Sequence, residues 1–290
     1  MFMKKVTVLG LGSMGVTLAQ LFIKKARKVT VWNRTRQKTL PLVDQGAAAA
    51  ATAAEAVGDS PLVVMCVYDY AAVNDILAMP GFAQAMAGKT LVQLTTGSPA
   101  DATESAQWAA RHGVAYLEGA IQAAPSQMGE DNTPVLISGS EAAFKLHKQV
   151  LSDLAGNFVF LGSKMEAAST MDLATLSYVY GGFVGFMQGA LIAEAEGLDI
   201  SQFGKIVADI SPSFGSFFAH EGKVIQSKDF TITESPLRIS VEATQRIHAF
   251  AQARGLNTEF SALAAGLLKR AQQAGLENKE LAALIQVLRK

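Results

Sequence analysis

Residues 6–15 read VTVLGLGSMG, and this stretch decides the fold. Its first four residues form a short apolar run that predicts a buried strand, and a helical pattern begins at Val16. Between them lie glycines in the spacing G-x-G-x-x-G, which permit a tight turn and let the backbone approach a pyrophosphate at the helix N-terminus. An ordinary glycine-rich turn is the alternative interpretation. The predicted cofactor-binding residues of this turn are Gly10, Gly12, Ser13, Met14 and Gly15.

The second predicted strand, residues 28–32, ends at a sequence that favours NADP(H) as the cofactor. NAD-binding sites usually place Asp or Glu about 20 residues past the glycine turn. The carboxylate there accepts a hydrogen bond from the ribose 2′-OH. Here the residues are Asn33, Arg34 and Thr35. Asn33 brings no charge that repels a 2′-phosphate, Arg34 can hold one by a charge-assisted contact, and Thr35 can donate a further hydrogen bond. The alternative is that Arg34 is a solvated turn residue.

The N-terminal half alternates strand and helix patterns, which predicts an α/β fold with a mostly parallel sheet. Residues 35–45 have a helical pattern, and residues 47–56 predict a short strand followed by a helix that Thr52 caps. Further strands are predicted at 62–67, 91–94, 114–117, 135–137 and 158–161.

The pattern becomes helical near residue 163. We therefore predict an NADP-binding Rossmann domain over residues 1–162, and a long interdomain helix with an all-α dimerisation and substrate domain over residues 163–290. After the long helix, helices are predicted at 201–210, 214–226, 237–254, 259–274 and 279–288.

The composition excludes several classes of function. The chain has 290 residues, with 25 basic and 25 acidic side chains, so its net charge is zero and nucleic acid is not an expected partner. Its single cysteine, Cys66, excludes an internal disulfide and a Cys-cluster metal site, and the four histidines show no metal-ligand spacing. We expect no metal and a cytoplasmic location. Glycines break the apolar run at the N-terminus, so it is a poor signal peptide.

Residues 173–193 carry no charge and are long enough to cross a bilayer. Their flanking residues, Asp172 and Glu194, are acidic, whereas membrane helices are usually anchored by Lys or Arg. A helix that is apolar on every side can equally be buried in a soluble core or a subunit interface. We expect burial in one of these two protein environments and predict no membrane partner.

These motifs resemble the β-hydroxyacid dehydrogenase superfamily, and within it the imine reductases and reductive aminases. The resemblance covers nearly the whole chain and is most specific in residues 32–35 (WNRT), residues 170–172 (TMD) and Tyr180. It implies reduction of C=N bonds with NADPH, and a small-molecule imine, or a ketone plus an amine, as substrate. It also implies a Rossmann domain, a long interdomain helix and a helical domain exchanged between two subunits.

The departures from the hydroxyacid branch point the same way. That branch carries a Lys near the start of the long helix, but residues 169–175 read STMDLAT. Its Ser-Gly-Gly loop grips a substrate carboxylate, whereas residues 121–124 here read IQAA and suit an anion badly. Gln93 and Met171 also differ from the usual imine reductase residues, so the substrate range stays open. A β-hydroxyacid dehydrogenase-like reductase and a non-catalytic NADP(H)-binding protein are the alternatives.

Asp172 and Tyr180 are the predicted catalytic residues. A carboxylate stabilises a cationic C=N nitrogen, and a phenol can donate a hydrogen bond to the substrate. Eight residues of helix separate the two by about 12 Å and roughly 80°. The alternatives are a helix-start acid favoured by the macrodipole and a core aromatic. Near the nicotinamide or its ribose we expect Val67, Thr95 and Thr96.

The long helix also predicts the assembly, because its apolar surface needs partners on every side. A two-fold homodimer, in which each helical domain packs on the long helix of its partner, meets this need. The active site would then lie between Asp172 of one subunit and residues such as Phe214 or His220 of the partner subunit.

Overall fold

The structure, a computed structural model, describes residues 5–58 and 60–289. The chain divides into two compact units, one that ends at Ser177 and one that begins at Tyr178. This division falls inside the longest helix. The domain boundary near residue 162, which precedes that helix, stays a prediction.

The first unit is built on one eight-stranded sheet with the strand order β3-β2-β1-β4-β5-β6-β7-β8. The strands are β1 (Lys5–Leu9), β2 (Lys28–Trp32), β3 (Ala48–Ala49), β4 (Leu62–Met65), β5 (Thr90–Gln93), β6 (Ala115–Ile121), β7 (Pro134–Gly139) and β8 (Asn157–Phe160).

All neighbouring strands are parallel except β6 and β7, so the prediction of a mostly parallel sheet is confirmed. The register pairs Leu9 with both Trp32 and Met65, and Met65 with Gln93. The carboxyl ends of β1, β2, β4 and β5 therefore lie along one edge of the sheet. Ligands of open α/β sheets bind at that edge.

Helices on both faces of the sheet explain why its strands read as continuous apolar runs. In β4, Leu62 and Val64 face one core, and Val63 and Met65 face the other; all four are fully buried. The helices are α1 (Ser13–Lys24), α2 (Leu40–Val43), α3 (Ala53–Val57), α4 (Tyr70–Leu77), α5 (Phe82–Met86), α6 (Pro99–Arg111) and α7 (Glu141–Leu151).

Two local predictions for this unit need correction. Residues 35–45 do not form one helix but a 3₁₀ turn, Arg36–Thr39, followed by the short α2, since Pro41 fits only the first turn of a helix. The strand predicted at 114–117 continues to Ile121. Glu118 and Gly119 interrupt its apolar pattern, but pairing with strands on both sides holds it in the sheet.

The second unit is helical, as expected. The long helix, α8 (Ala167–Ala195), begins in the first unit and continues into the second. It is followed by α9 (Ile200–Ser227), α10 (Leu237–Ala253), α11 (Glu259–Gln273) and α12 (Ile285–Leu288).

The two helices predicted at 201–210 and 214–226 are one helix, α9, with Pro212 inside it. Proline removes one helical hydrogen bond and usually kinks or ends a helix. Here the hydroxyls of the flanking serines donate to backbone carbonyls, Ser211 to Val207 at 2.6 Å and Ser213 to Ile210 at 2.7 Å. The carbonyl that loses its helical partner at Pro212 is that of Ala208, and neither serine bond reaches it. The helix nevertheless continues through the proline.

A buried carboxyl group lies in β6. Glu118 is 1% exposed, and its oxygens accept from the Tyr70 hydroxyl at 3.0 and 3.1 Å and from the Tyr116 hydroxyl at 2.5 Å. Burial raises the pKa of Glu118 to about 8. The two tyrosine hydroxyls lower this pKa, and Asp101 raises it further. Glu118 therefore keeps its proton in the folded state at neutral pH.

This proton makes folding sensitive to pH. Between pH 4.5 and about 8 the unfolded chain has lost it and the folded chain retains it, so stability falls as pH rises. Each pH unit in that window costs about 1.4 kcal/mol. Glu118→Gln should flatten this dependence. The thermal midpoint of the variant, measured relative to that of the wild type, should therefore be higher at pH 8 than at pH 5. Glu104→Gln, a change to an exposed carboxylate on α6, is the control. Parallel curves of thermal midpoint against pH for the wild type and Glu118→Gln would contradict a raised pKa of Glu118.

Candidate active site

A groove of about 390 Å³ opens in the first unit beside the carboxyl ends of β1, β2 and β4. Its walls include nine of the eleven residues that the sequence predicts to bind the cofactor. These are Gly10, Gly12, Ser13, Met14, Gly15, Asn33, Arg34, Thr35 and Val67.

The glycine turn is closely packed against the end of β4. Gly10 has a φ of +93°, and a Cβ there would lie 2.2 Å from the carbonyl oxygen of Cys66. A Cβ on Gly15 would lie 2.1 Å from the carbonyl oxygen of Gly10. Only glycine fits either position without a backbone shift. Burial raises the pKa of the Cys66 thiol to about 11, so this cysteine stays a protonated thiol at neutral pH.

Gly12 has a different role from its neighbours. A Cβ there would meet no described atom within 4 Å, so the missing side chain leaves space in the groove itself. Gly12 is also the N-cap of α1, and no side chain of the described residues caps that helix. The exposed turn thus presents backbone N–H groups and the positive end of the helix dipole. These features fit the pyrophosphate of a dinucleotide.

Asn33 lines the groove and also holds two loops together. Its Oδ1 accepts from the backbone N–H of Leu11 at 3.0 Å, and its Nδ2 donates to the carbonyl of Thr35 at 3.0 Å. The side-chain amide thereby fixes the glycine turn relative to the residues after β2. The sequence predicts only that Asn33 is uncharged.

A basic wall follows Asn33. Arg34 and Thr35 are exposed and line the groove, together with Lys38, which the sequence analysis did not select. The side chains of Arg34 and Lys38 form no ion pair with a described residue. Both charges are therefore available to a 2′-phosphate. Lys38 lies in the 3₁₀ turn, four residues after Arg34. This short spacing between two basic residues could have been recognised in the sequence.

The residues after β5 serve mainly to hold the strand ends. Thr95 is 1% exposed, and its Oγ1 accepts from the backbone N–H of Val67 at 3.0 Å. Gln93 is fully buried, and its Oε1 accepts from the N–H of Thr95 at 3.0 Å. Thr96 is exposed, and neither threonine lines the groove. Their contact with the nicotinamide or its ribose stays a prediction.

Asp172 is the buried acid of α8. It is the sixth residue of the helix, 6% exposed, and no acidic residue lies in the first turn. Its Oδ1 accepts from Nε2 of Gln122 at 2.5 Å, and Oε1 of Gln122 accepts from the Thr175 hydroxyl at 2.7 Å. These contacts do not suit a solvated helix-start acid, which is the alternative interpretation. Gln122 was not predicted as a site residue, because the loop 121–124 reads as apolar.

Tyr180 and His220 belong to the second unit. Tyr180 is 67% exposed, and its hydroxyl forms no hydrogen bond with a described residue. Nε2 of His220 lies 2.8 Å from the Thr233 hydroxyl, and the ring is close to Glu221 and Glu280. Burial, and then Glu280, raise the pKa of Glu221. The catalytic role of Tyr180 stays a prediction.

Comparisons with known proteins agree with this geometry. Residues 5–162 match the family model of the NAD binding domain of 6-phosphogluconate dehydrogenase. Residues 165–290 match that of the NADPH-dependent reductive aminase-like C-terminal domain. The NADPH-dependent reductive aminase of Aspergillus oryzae is 30% identical over 289 residues, which are 98% of this chain and 96% of that protein. The chain belongs to the NADPH-dependent reductive aminase family.

Solved structures of this family are similar over the full length. The imine reductase from Myxococcus stipitatus in complex with NADP+ is 33% identical, with a TM-score of 0.89 over 98% of this chain and 100% of that one. The reductive aminase from Aspergillus terreus in complex with NADPH4, cyclohexanone and allyl amine is also 33% identical, with a TM-score of 0.86 over 99% and 100%. The protein is accordingly an NADP(H)-dependent oxidoreductase with an N-terminal Rossmann domain and a helical C-terminal domain.

The basic wall predicts the cofactor preference. Arg34→Ala should raise the KM for NADPH by roughly 10-fold or more, because a charge-assisted contact to the 2′-phosphate is lost. The KM for NADH should change little. Lys38→Ala should have a smaller effect of the same kind. Arg36→Ala, an exposed position that does not line the groove, is the control. Equal efficiency of the wild type with NADPH and NADH would contradict the assignment.

Proposed function

We propose that the protein reduces the C=N bond of imines and iminium ions to give amines, including imines formed from a ketone and an amine. When bound, NADPH supplies the hydride. The observation that carries the proposal is the carboxylate of Asp172, buried in α8 and held on one oxygen by Gln122. Its other oxygen, Oδ2, has no hydrogen-bond partner among the described residues.

A carboxylate of this kind suits a cationic substrate. A protonated C=N group is already electrophilic, so hydride transfer does not require a strong acid beside it. A fixed negative charge near the nitrogen favours binding of the cation, and a water-poor surrounding strengthens that attraction. Asp172 is the group that can supply this charge.

The structure offers little support for β-hydroxyacid chemistry. The helix α8 contains no lysine. The preceding lysine, Lys164, is 74% exposed and pairs with Glu166 at 3.3 Å. The loop after β6 carries no cation that would hold a substrate carboxylate. A non-catalytic NADP(H)-binding role would not explain why the carboxylate of Asp172 is buried.

The substrate class is tested directly with purified protein. A small cyclic imine such as a pyrroline should be reduced with steady NADPH oxidation, whereas β-hydroxyacids should be oxidised slowly with NADP+. The reason is that Asp172 favours a cation and the site lacks a lysine acid. Faster turnover of hydroxyacids than of imines across a modest panel would overturn the proposal. No NADPH oxidation with any imine would favour the non-catalytic alternative.

We also propose a homodimer with exchanged helical domains. By length and composition alone, α8 could cross a bilayer, but only 11% of its apolar segment is buried. Large apolar side chains of the second unit are about half exposed, among them Phe183 and Met187 of α8 and Ile206 and Phe214 of α9. A second copy of the chain would cover them, and the acidic flanks of the segment favour this over lipid.

The glycines of α8 divide between two environments. A Cβ on Gly189 would lie 2.7 Å from the Phe203 ring of α9, and one on Gly185 would lie 3.3 Å from the Phe260 ring of α11. These two glycines therefore admit aromatic rings of their own unit. Gly181 and Gly182 have no described atom within 4 Å of a Cβ. This open part of the helix is where the partner would approach.

Assembly is tested by light scattering at micromolar concentration. The protein should have twice the chain mass of 30.6 kDa, with an interface on the order of 2,000 Å² or more. Phe183→Glu, a charge on the exposed apolar face, should shift it to monomer and abolish activity. Leu146→Glu, equally exposed on α7 in the first unit, is the control. An active wild-type monomer would refute both the assembly and a site shared between subunits.

A further inference from the structure

Gln122 is the first residue after β6, and it is the one polar side chain of the loop 121–124. We infer that Gln122 is a positioning residue, which orients the carboxylate of Asp172 for the substrate nitrogen. The inference rests on the proposed function, since it takes Asp172 as the group that stabilises the cationic C=N. Gln122 itself does not touch the reacting atoms; it acts through Asp172, which does.

Three hydrogen bonds fix Gln122 at both ends. Its backbone N–H donates to the carbonyl of Pro134 at 3.1 Å, which ties the residue to the start of β7. Its Nε2 donates to Oδ1 of Asp172 at 2.5 Å. Its Oε1 accepts from the Thr175 hydroxyl at 2.7 Å, and that hydroxyl also lies 2.9 Å from the carbonyl of Asp172. The amide is thus held between the sheet and two residues on one face of α8.

The orientation of the amide follows from its partners. An ionised carboxylate only accepts hydrogen bonds, so the NH₂ end of Gln122 must face Asp172. The carbonyl end then faces Thr175, whose hydroxyl can donate. The reversed amide would place two oxygens in contact and lose the bond to the carboxylate. The carboxylate thus sets the direction of the amide, and the Thr175 hydroxyl anchors its carbonyl end.

One consequence concerns the two oxygens of Asp172. Oδ1 is engaged by Gln122, while Oδ2 has no partner among the described residues. A carboxylate fixed through one oxygen presents the other in a defined direction, and no reorganisation is needed when substrate binds. The bond is charge-assisted and partly buried, so its loss should be measurable.

The first experiment compares matched substitutions at both ends of the amide. Gln122→Met keeps the length and removes the polar atoms. It should lower kcat/KM for a cyclic imine by about 10- to 100-fold, mostly through kcat, with unchanged NADPH affinity and thermal midpoint. Thr175→Val should lower kcat/KM by about 2- to 10-fold, and Thr175→Ser, which keeps the hydroxyl, should stay within about 2-fold of wild type. Equal effects of Thr175→Val and Thr175→Ser would overturn the inference, even if Gln122→Met fails to fold.

The second experiment is a double-mutant cycle with Asp172→Asn. If Gln122 acts through Asp172, adding Gln122→Met to Asp172→Asn should change kcat/KM by less than about 2-fold. The same loss in both backgrounds would show an independent role and overturn the inference. The two proposals fail differently. Wild-type activity of Asp172→Asn would overturn the proposed role of Asp172, whereas a deficient Asp172→Asn beside an unimpaired Gln122→Met would overturn only the positioning role.

Discussion

The turn between β1 and α1 has no room for a side chain at Gly10 or Gly15, and the cofactor groove depends on this constraint. A Cβ at either position would lie within about 2.2 Å of a carbonyl oxygen, so the turn, the end of β4 and the start of α1 pack as one piece. Asn33 then ties the end of β2 to the same turn through Leu11. At this strand edge the N-terminus of α1, which no described side chain caps, lies beside Arg34 and Lys38, which form no ion pair with a described residue. Backbone packing therefore creates the anion site, and side chains refine it.

Two buried carboxyl groups in the first unit show how the surroundings decide the use of an acid. Glu118 lies inside the sheet among tyrosine hydroxyls, and burial holds its pKa far above the ordinary value. Asp172 is the sixth residue of α8, bonded to an amide on one oxygen and without a hydrogen-bond partner on the other among the described residues. The first is best neutral, and its ionisation costs stability. Under the proposed function, the second would meet a cationic ligand through its other oxygen.

Local signals in the sequence were sufficient for most of the fold and for the dinucleotide groove. The glycine spacing, the strand before it and Arg34 all lie within one β-α-β unit, so their meeting follows from chain order alone. Gln122 could not be found this way, because 50 residues separate it from Asp172 and its loop reads as apolar. Helix α9 was divided in two because a proline such as Pro212 usually ends a helix, and the local pattern does not show that this helix continues through it. The errors thus fall at prolines, and where contacts between residues far apart in the chain override a local pattern.

The partner of Asp172 is a neutral amide, which preserves the negative charge of the carboxylate. A lysine there would hold the carboxylate equally well, but its charge would cancel the attraction that a cationic C=N group experiences. An apolar neighbour would keep the charge but leave the carboxylate free to rotate. Gln122 orients the group while the net charge of the pair stays at minus one, and the Thr175 hydroxyl anchors the other end of the amide. The loop that would bind an anion in a hydroxyacid enzyme is here combined with a helix that lacks lysine. Both changes move the site in the same electrostatic direction, towards a substrate that is positive where it reacts.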